Sequence, residues 1–337
     1  MVVDDVNGVS VRSRFTVTTF QIRLRQVGNF APIFTFDGAS RPTWPIGAAN
    51  TKAWPWSRPR RSKSRYLAST RDTIAHLVRL QEETVTRTES LPSDIYAIAD
   101  VHGRADLLEA MLGYIAAASN DQQSKPVVIF LGDLIDRGPD SPKVLDQVCS
   151  TLDLYPGSRL ILGNHDFYLR ELLRGALTYE DAVNWMDWGG VATMSAYSNR
   201  PVPDFENIAA EIRRVFPHHV DLLENALTFK EIGRFCFVHA GIRPGVQLAN
   251  QSEYDLRWIR AGFLDHMDVF DHVVLHGHTI TKSLRPEVYL NRIALDTGAY
   301  RTSRLSAAVI RRDELSHFVC TELTETGIVQ AGEWRPD

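Results

Sequence analysis

Three short apolar runs, each ended by a polar turn that contains glycine, most constrain how this 337-residue chain can fold. The runs are 95–99, 127–131 and 159–162, and their turns read DVHG at 100–103, GDLIDRG at 132–138 and GNHD at 163–166. A helix-like stretch follows each turn, so the order predicts β-α-β-α-β-α with a largely parallel sheet and crossover helices. Because the carboxyl ends of parallel strands share one edge, we expect the three turns to lie close together there.

Two later turns repeat this pattern. Strand-like residues 235–238 precede HAG at 239–241, and residues 272–275 precede HGHT at 276–279. The five turns together supply carboxylate, amide and imidazole groups from Asp100, His102, Asp133, Asn164, His239 and His278. This donor set contains no thiolate and suits Mn, Fe, Zn or Co better than Ca. Two such cations would share one carboxylate, for which Asp133 in the middle turn is the natural candidate.

Other polar residues fit a phosphate ester held at such a centre. Arg137 and Arg260 can each donate two parallel hydrogen bonds to phosphate oxygens. His165 can protonate a departing alkoxide, and Asp136 can hold the other nitrogen of its ring. Taken singly, each motif has a simpler explanation, because a histidine at a strand end is often a surface group and an aspartate there can cap the next helix. The occurrence of all five motifs in order favours the metal site.

In this order, the motifs DVHG, GDLIDRG, GNHD, HAG and GHT resemble those of the calcineurin-like metallophosphoesterases, from about residue 94 to about residue 319. The GDxxDRG and GNHD forms resemble the phosphoprotein phosphatase branch in particular. This resemblance implies an α/β protein with a four-layer α/β/β/α sandwich, in which two mixed sheets pack face to face and are flanked by helices. A helical insertion would occupy residues 166–230.

The resemblance also implies roles for the motif residues. One metal would be bound by Asp100, His102 and Asp133, and the other by Asp133, Asn164, His239 and His278. His165 and Asp136 match the general acid and its partner, and the phosphate would be bound by Arg137, Arg260 and Asn164. We expect two divalent ions, with Mn ahead of Fe or Zn. A hydroxide that bridges them would attack phosphorus directly, without a phosphoenzyme.

Two positions bear on the substrate. The residue after Thr279 is Ile280, so the GHxH form that many relatives outside the phosphatase branch carry is absent. Symmetrical dinucleoside tetraphosphate (Ap4A) hydrolases of this type typically have alanine where this chain has Asp136. The sequence therefore predicts a phosphomonoesterase that acts as a serine/threonine protein phosphatase, with symmetrical Ap4A hydrolysis as the alternative. The stretch LDTGA at 295–299 occurs in both groups and does not discriminate between them.

The first 90 residues differ in charge from the rest of the chain. They hold 14 Lys and Arg against 7 Asp and Glu, whereas the remaining residues carry a net charge of about −11. We expect a basic tail that is largely disordered at 1–66, a lead-in helix at 67–90 and the catalytic domain at 91–337. Two alternatives for the tail are an arm that binds nucleic acid or a membrane surface, and a true start further downstream.

The composition excludes several other classes of protein. No apolar run reaches membrane-spanning length, and the N-terminus lacks the apolar core of a secretory signal. The three cysteines lie in helix-like or strand-like patterns, which indicates packed, reduced thiols in a cytoplasmic enzyme. A phosphoprotein or small phosphate ester is the expected partner, rather than nucleic acid or a membrane. Within the insertion, near-helical spacing predicts a core of Trp185, Met186 and Trp188, with a wall of the substrate cleft as the alternative.

Overall fold

The computed structural model describes residues 94–120, 125–198 and 204–336, together with the backbone of two strands nearer the N-terminus. These strands, β1 (Gln21–Arg25) and β2 (Ile33–Asp37), pair antiparallel within the region predicted as a tail. The rest of that tail and the predicted lead-in helix at 67–90 lie outside the described residues.

The larger of the two central sheets has six strands. They are β3 (Ile95–Ile98), β4 (Val127–Phe130), β5 (Arg159–Leu160), β11 (Ser306–Arg311), β12 (Glu314–Leu323) and β13 (Val329–Trp334). Their order is β13-β12-β11-β3-β4-β5. β3, β4 and β5 are parallel, as the alternation of runs and helices predicts, but β11, β12 and β13 are antiparallel because short turns join them in sequence. The expectation of a largely parallel sheet is therefore wrong for half of these strands.

The smaller sheet has five strands. They are β6 (Phe229–Ile232), β7 (Phe235–Val238), β8 (Val273–His276), β9 (Glu287–Val288) and β10 (Arg292–Ala294). In the order β6-β7-β8-β10-β9, the three central strands are parallel and the two outer ones are antiparallel. The HAG and HGHT turns thus leave two adjacent parallel strands, β7 and β8, at the same edge.

Helices cover the larger sheet and make up most of the insertion. The first three are α1 (Ala105–Ser119), α2 (Ser141–Leu154) and α3 (Asn164–Arg174). The insertion continues with α4 (Tyr179–Trp185), a π-helical turn (Met186–Gly190), α5 (Val191–Tyr197), α6 (Phe205–Val215) and α7 (Pro217–Glu224). A 3-10 turn (Leu248–Asn250), α8 (Glu253–Trp258) and α9 (Ala299–Thr302) follow.

The alternation of side chains along the strands builds the layers. On β3, Ile95 and Ala97 pack against the smaller sheet, whereas Tyr96 and Ile98 pack beneath the helices. On the outer face of the smaller sheet, Val238 joins an apolar cluster with Leu256 of α8. Two mixed sheets packed face to face, with helices outside, confirm the α/β sandwich expected from the resemblance.

The insertion packs one of its tryptophans and exposes another. Trp185 is fully buried and Met186 packs partly buried against the same core, but Trp188 is 38% exposed. The prediction that Trp188 belongs to the core is therefore wrong, because the helix kinks at Gly189, where φ is 114°. Trp188 instead lies beside the turns that follow the central strands.

Two further sequence expectations concern the whole chain. Cys149, Cys236 and Cys320 are all free thiols, and the last two are buried, as expected for packed, reduced cysteines. Among the described residues, no helix combines the length and the apolar character needed to cross a membrane.

Candidate metal centre

The turns that carry the predicted site have an unusual backbone. His102, Asp133, Asp136, Arg137 and His278 all have positive φ, between 48° and 73°. L-residues rarely adopt this region, and such strain is concentrated at sites where side chains must point in a fixed direction. The polar turns are therefore held in shape by the surrounding fold.

Asp133 lies at the middle of the predicted ligands. On one side, its Oδ2 is 3.7 Å from Nε2 of His102 and 4.0 Å from Nε2 of His165. On the other side, its Oδ1 is 3.4 Å from Nε2 of His239, and His278 completes this second group. Within each group the potential ligand atoms lie within 4.8 Å of one another, and all these residues are buried. One carboxylate thus belongs to two convergent groups.

Backbone hydrogen bonds fix the tautomers of two of these histidines. Nδ1 of His102 donates to the carbonyl oxygen of Ile135 at 2.8 Å, and Nδ1 of His239 donates to that of Leu131 at 2.7 Å. Each bond leaves Nε2, the nitrogen that faces Asp133, as the ring atom that could ligate a cation. This arrangement, in which one ring nitrogen is held and the other points at the site, is typical of metal-binding histidines.

Three observations fit a cation at this position. Nε2 of His278 is buried without a hydrogen-bond partner. Nε2 of His239 lies 3.0 Å from Oδ1 of Asn164 and 3.4 Å from Oδ1 of Asp133. A proton or a cation is therefore needed between this nitrogen and the two oxygens. Burial, together with the charges of Asp296 and Asp133, raises the pKa of Asp100 well above its usual value. A divalent cation would satisfy all three demands.

The structure places Asp100 somewhat apart from the group that the sequence assigns to it. Its carboxylate accepts hydrogen bonds from the backbone N–H of His278, at 2.9 and 3.1 Å, and does not belong to the convergent group that contains His102 and Asp133. This approach depends on Gly277, because an added Cβ there would lie 1.9 Å from Oδ1 of Asp100. Arg260 is exposed at the edge of the site, where its Nη2 lies 3.4 Å from the carbonyl oxygen of His278.

His165 and Asp136 form the predicted pair. Nδ1 of His165 donates to Oδ2 of Asp136 at 2.6 Å, and both side chains are buried. The insertion holds the aspartate in place, because Nε1 of Trp185 donates to Oδ2 at 2.7 Å and Oγ1 of Thr193 donates to Oδ1 at 2.6 Å. With both carboxylate oxygens satisfied, Asp136 can orient only one nitrogen of the His165 ring.

Arg137 bridges the two histidines on the open side of the site. Its Nη1 donates to Nε2 of His102 at 2.6 Å, and its Nη2 donates to Nε2 of His165 at 2.9 Å. The positively charged guanidinium therefore contacts the Nε2 atom of a predicted metal ligand, His102, and the Nε2 atom of the predicted general acid, His165. The carbonyl oxygens of Trp188 and Gly189 accept from its Nε and backbone N–H, at 3.3 and 3.2 Å.

Gly189→Ala is expected to displace Arg137, the side chain that the sequence predicts to bind phosphate, and thereby to weaken phosphate binding. An added Cβ would lie 2.7 Å from Cγ of Arg137, and φ at this position is 114°. Because a charged hydrogen bond contributes about 1.5–3 kcal/mol, we expect KM for a phosphate ester to rise about tenfold or more. Gly175→Ala is the matched control, since it has φ of 71° but open space around the new Cβ. Equal KM values for the two variants would show that Gly189 does not position Arg137.

Three residues of the site were not found from the sequence. Asp296 is buried, and burial together with the charge of Asp133 raises its pKa to about 6. Its signal was present, because LDTG at 295–298 is another apolar run that ends in an aspartate and a glycine. Trp185 and Thr193 gave no such signal, since their contacts with Asp136 arise from the tertiary packing of the insertion.

Comparison with known proteins agrees with this geometry. The family model described as calcineurin-like phosphoesterase matches residues 93–289, more than half of the chain. A symmetrical bis(5'-nucleosyl)-tetraphosphatase of Hamiltonella defensa is 36% identical over 105 residues, which are 28% of this chain and 36% of that relative. One from Acidovorax sp. is 33% identical over 106 residues, which are 28% of this chain and 35% of the relative.

The chain therefore spans only about a third of the length of these curated relatives. Among solved structures, a protein serine/threonine phosphatase from Saccharomyces cerevisiae is 12% identical, with a TM-score of 0.40, over 80% of this chain and 91% of that one. The match to more than half of the chain and the convergent ligand groups lead to one conclusion. The chain belongs to the calcineurin-like phosphoesterase family.

Proposed function

We propose that this protein is a metal-dependent hydrolase of phosphate esters, namely a phosphomonoesterase that acts as a serine/threonine protein phosphatase. The observation that carries the proposal is the contact of 2.6 Å between His165 and Asp136, completed by Trp185 and Thr193. Hydrolysis of phosphoserine or phosphothreonine expels an alkoxide, which is a poor leaving group unless it is protonated. Symmetrical cleavage of a dinucleoside tetraphosphate expels a nucleoside diphosphate, which is stable as an anion and needs no acid. A buried, oriented histidine is therefore of more use to a phosphatase.

In this proposal, two divalent cations, with Mn ahead of Fe or Zn, bind at Asp133 and its neighbours. One would be held by Asp100, His102 and Asp133, and the other by Asp133, Asn164, His239 and His278. When bound, such cations neutralise phosphate charge and lower the pKa of water near phosphorus. The carboxylates, imidazoles and amide oxygen match the ligand preferences of these ions.

The remaining polar side chains bind substrate and move a proton. Arg137 and Arg260 lie on the open side of the centre and donate to the phosphate oxygens, together with the amide of Asn164. Once the phosphate draws Arg137 away from His165, Nε2 of that ring is free to carry the proton that the leaving oxygen receives. Asp136 keeps the ring oriented throughout. Water attacks phosphorus directly, so no phosphoenzyme forms.

Symmetrical dinucleoside tetraphosphate hydrolysis is the second candidate, because the curated relatives named above carry that activity in their names. One feature of the structure also supports it. Aromatic rings adjoin the centre. The ring of the half-buried Trp258 lies 5.9 Å from that of His278, 5.2 Å from that of the exposed Trp188 and 6.3 Å from that of Tyr254, between ring centroids. Tyr254 is 68% exposed, and such a surface can stack on a nucleobase.

A substrate panel distinguishes the two candidates. With Mn²⁺ present, we expect kcat/KM for a phosphoserine or phosphothreonine peptide to exceed that for diadenosine tetraphosphate by about a hundredfold, the typical contribution of a general acid. The panel also includes cyclic nucleotides, a third class of phosphate ester, and kcat/KM for them is compared with the values for the other two substrates. Faster conversion of diadenosine tetraphosphate to two ADP molecules would contradict the phosphatase proposal and establish the second candidate.

We further propose residues 91–337 as the catalytic domain, residues 166–230 as its insertion and the cytoplasm as its location. The family match at 93–289 supports the start of this domain. The three free thiols support a reducing compartment, where cysteines stay unpaired.

A further inference from the structure

A second group of potential ligands lies outside the candidate metal centre, between α2 and the insertion. Asp146 is in the middle of α2, and His218 and His219 are in the first turn of α7. Oδ1 of Asp146 lies 2.7 Å from Nε2 of His218 and 2.9 Å from Nε2 of His219. The three potential ligand atoms lie within 4.8 Å of one another, so two imidazoles and one carboxylate converge on one point.

The environment of His219 prepares it to ligate a cation. The side chain is fully buried, and burial lowers its pKa to about 4, so the ring is neutral at physiological pH. Its Nδ1 lies 2.7 Å from the hydroxyl oxygen of the buried Tyr197. Nε2 lies 2.9 Å from Oδ1 of Asp146, so these two atoms share a proton unless a cation takes its place. With a cation there, the ring proton would be on Nδ1 and would be donated to the Tyr197 oxygen, which is the arrangement found in metal-binding histidines.

We infer that Asp146, His218 and His219 form a second type of metal site, which takes a divalent transition cation such as Zn²⁺. Two imidazole nitrogens and a carboxylate oxygen are ligands that Zn²⁺ accepts readily, with water in the fourth position. Ligand atoms around a tetrahedral Zn²⁺ lie about 3.3 Å apart, so the group must open by roughly half an ångström. Asp146 and His218 can make this adjustment, because their side chains are 51% and 48% exposed.

Cys149, one turn further along α2, does not belong to this set. Its thiol donates to the carbonyl oxygen of His218, at 3.7 Å between sulfur and oxygen. Burial, together with the nearby Asp146, raises the pKa of the thiol to about 11, so it stays protonated at neutral pH. Its sulfur also lies outside the group of ligand atoms that converge within 4.8 Å, which consists of Asp146, His218 and His219.

A cation here would fasten the insertion to α2. Tyr197, which contacts His219, lies one helical turn after Thr193 on α5, and Thr193 donates to Asp136. The proposed site therefore stabilises the same short helix that positions the candidate acid pair. Its occupancy would first be visible as a gain in thermal stability rather than as a change in chemistry.

The test measures zinc binding to the full chain, without an affinity tag. The protein is stripped with chelator, equilibrated with Zn²⁺, separated from free metal and analysed for zinc content. The wild type should retain one zinc ion more per chain than His218→Ala. It should also gain about 3 °C or more in Tm, relative to that variant, on addition of Zn²⁺. Any zinc at the candidate metal centre is common to both proteins and cancels from the comparison.

Two further variants complete the experiment. His272→Ala removes another histidine that pairs with a carboxylate, Glu231 at 2.9 Å, and should bind as much zinc as the wild type. Asp146→Asn keeps a hydrogen-bond acceptor at this position, so it tests the site independently if His218→Ala does not fold. This variant too should bind one zinc ion fewer than the wild type. Equal zinc content in the wild type and both site variants, or a loss also in His272→Ala, would overturn the proposal. Anomalous diffraction at the zinc edge should place the ion at Nε2 of His218.

Discussion

Asp133→Asn is expected to lower kcat for phosphate-ester hydrolysis by about a thousandfold or more, since cations at such a centre contribute several kcal/mol to the transition state. Asp133 is the only described residue whose carboxylate belongs to both ligand groups of the centre. Asparagine has the same shape and can still accept from the backbone N–H of His165, which lies 2.9 Å from Oδ1. What it removes is the negative charge that two cations would share.

The variant should stay folded, because two effects on stability oppose each other. Asp133 is buried, but its interactions with His239, His165 and His102 outweigh burial and hold its pKa well below the usual value, so its ionised form stabilises the native state. Burial, together with the charge of Asp133, raises the pKa of Asp166 to about 7, and removal of that charge relieves the repulsion between the two carboxylates. We therefore expect Tm of the metal-free variant to lie within a few degrees of metal-free wild type.

Two comparisons make this experiment decisive. Asp140→Asn changes the same residue type on the same loop, and asparagine can replace Asp140 as the N-cap of α2, so activity should stay close to that of the wild type. Chelator-stripped wild type should be inactive and recover best with Mn²⁺, whereas Asp133→Asn should not recover. Turnover at the wild-type rate in Asp133→Asn would contradict the role of a shared ligand, and full activity after metal removal would contradict the whole centre.

The convergence of the polar turns could be predicted because a simple rule governs it. Each turn follows an apolar run, and the carboxyl ends of adjacent parallel strands meet at one edge of a sheet. This rule brings Asp133 on one sheet close to His239 on the other only if the sheets pack face to face. That packing came from the family resemblance and not from the periodicity of the runs.

Contacts made by the insertion could not be predicted, because they depend on how its helices pack. Trp185 was expected to be an ordinary core residue, and it is fully buried, yet its N–H holds Asp136. A buried indole requires an acceptor, but the sequence does not say which one. The exposure of Trp188 was missed for a related reason, since a near-helical spacing does not reveal the kink at Gly189.

Asp296 shows a different kind of omission. The residue lies two positions after the end of β10, in a stretch that resembles the other motifs, but that stretch was considered only as a marker of subgroup, which it does not discriminate. Its burial and its effect on the pKa of Asp100 show that it belongs to the electrostatics of the centre. Its signal in the sequence is the same as that of the other turns, namely an apolar run that ends in aspartate and glycine.

His165→Gln is expected to slow hydrolysis to a degree that depends on the leaving group. For a phosphoserine peptide, whose alkoxide must be protonated, kcat should fall by about a hundredfold or more, the contribution typical of general acid catalysis. For 4-nitrophenyl phosphate, whose phenolate leaves readily without a proton, the loss should be less than about tenfold. Glutamine can still form hydrogen bonds, but it cannot transfer a proton in this pH range.

The dependence of kcat on the leaving-group pKa across a series of aryl and alkyl phosphates measures this effect, and the slope should steepen in the variant. Asp136→Asn should give the same pattern in weaker form. Its single amide oxygen can take the place of Oδ2 and accept from Trp185 and His165, and its NH2 group can donate to the Thr193 hydroxyl, but the negative charge that holds the His165 ring is lost. His272→Gln, which changes a histidine paired with Glu231, should leave the slope unchanged. An equal loss for aryl and alkyl substrates in His165→Gln would show that this histidine binds phosphate and does not protonate the leaving group. The acid pair would then no longer favour a phosphatase over the dinucleotide hydrolase.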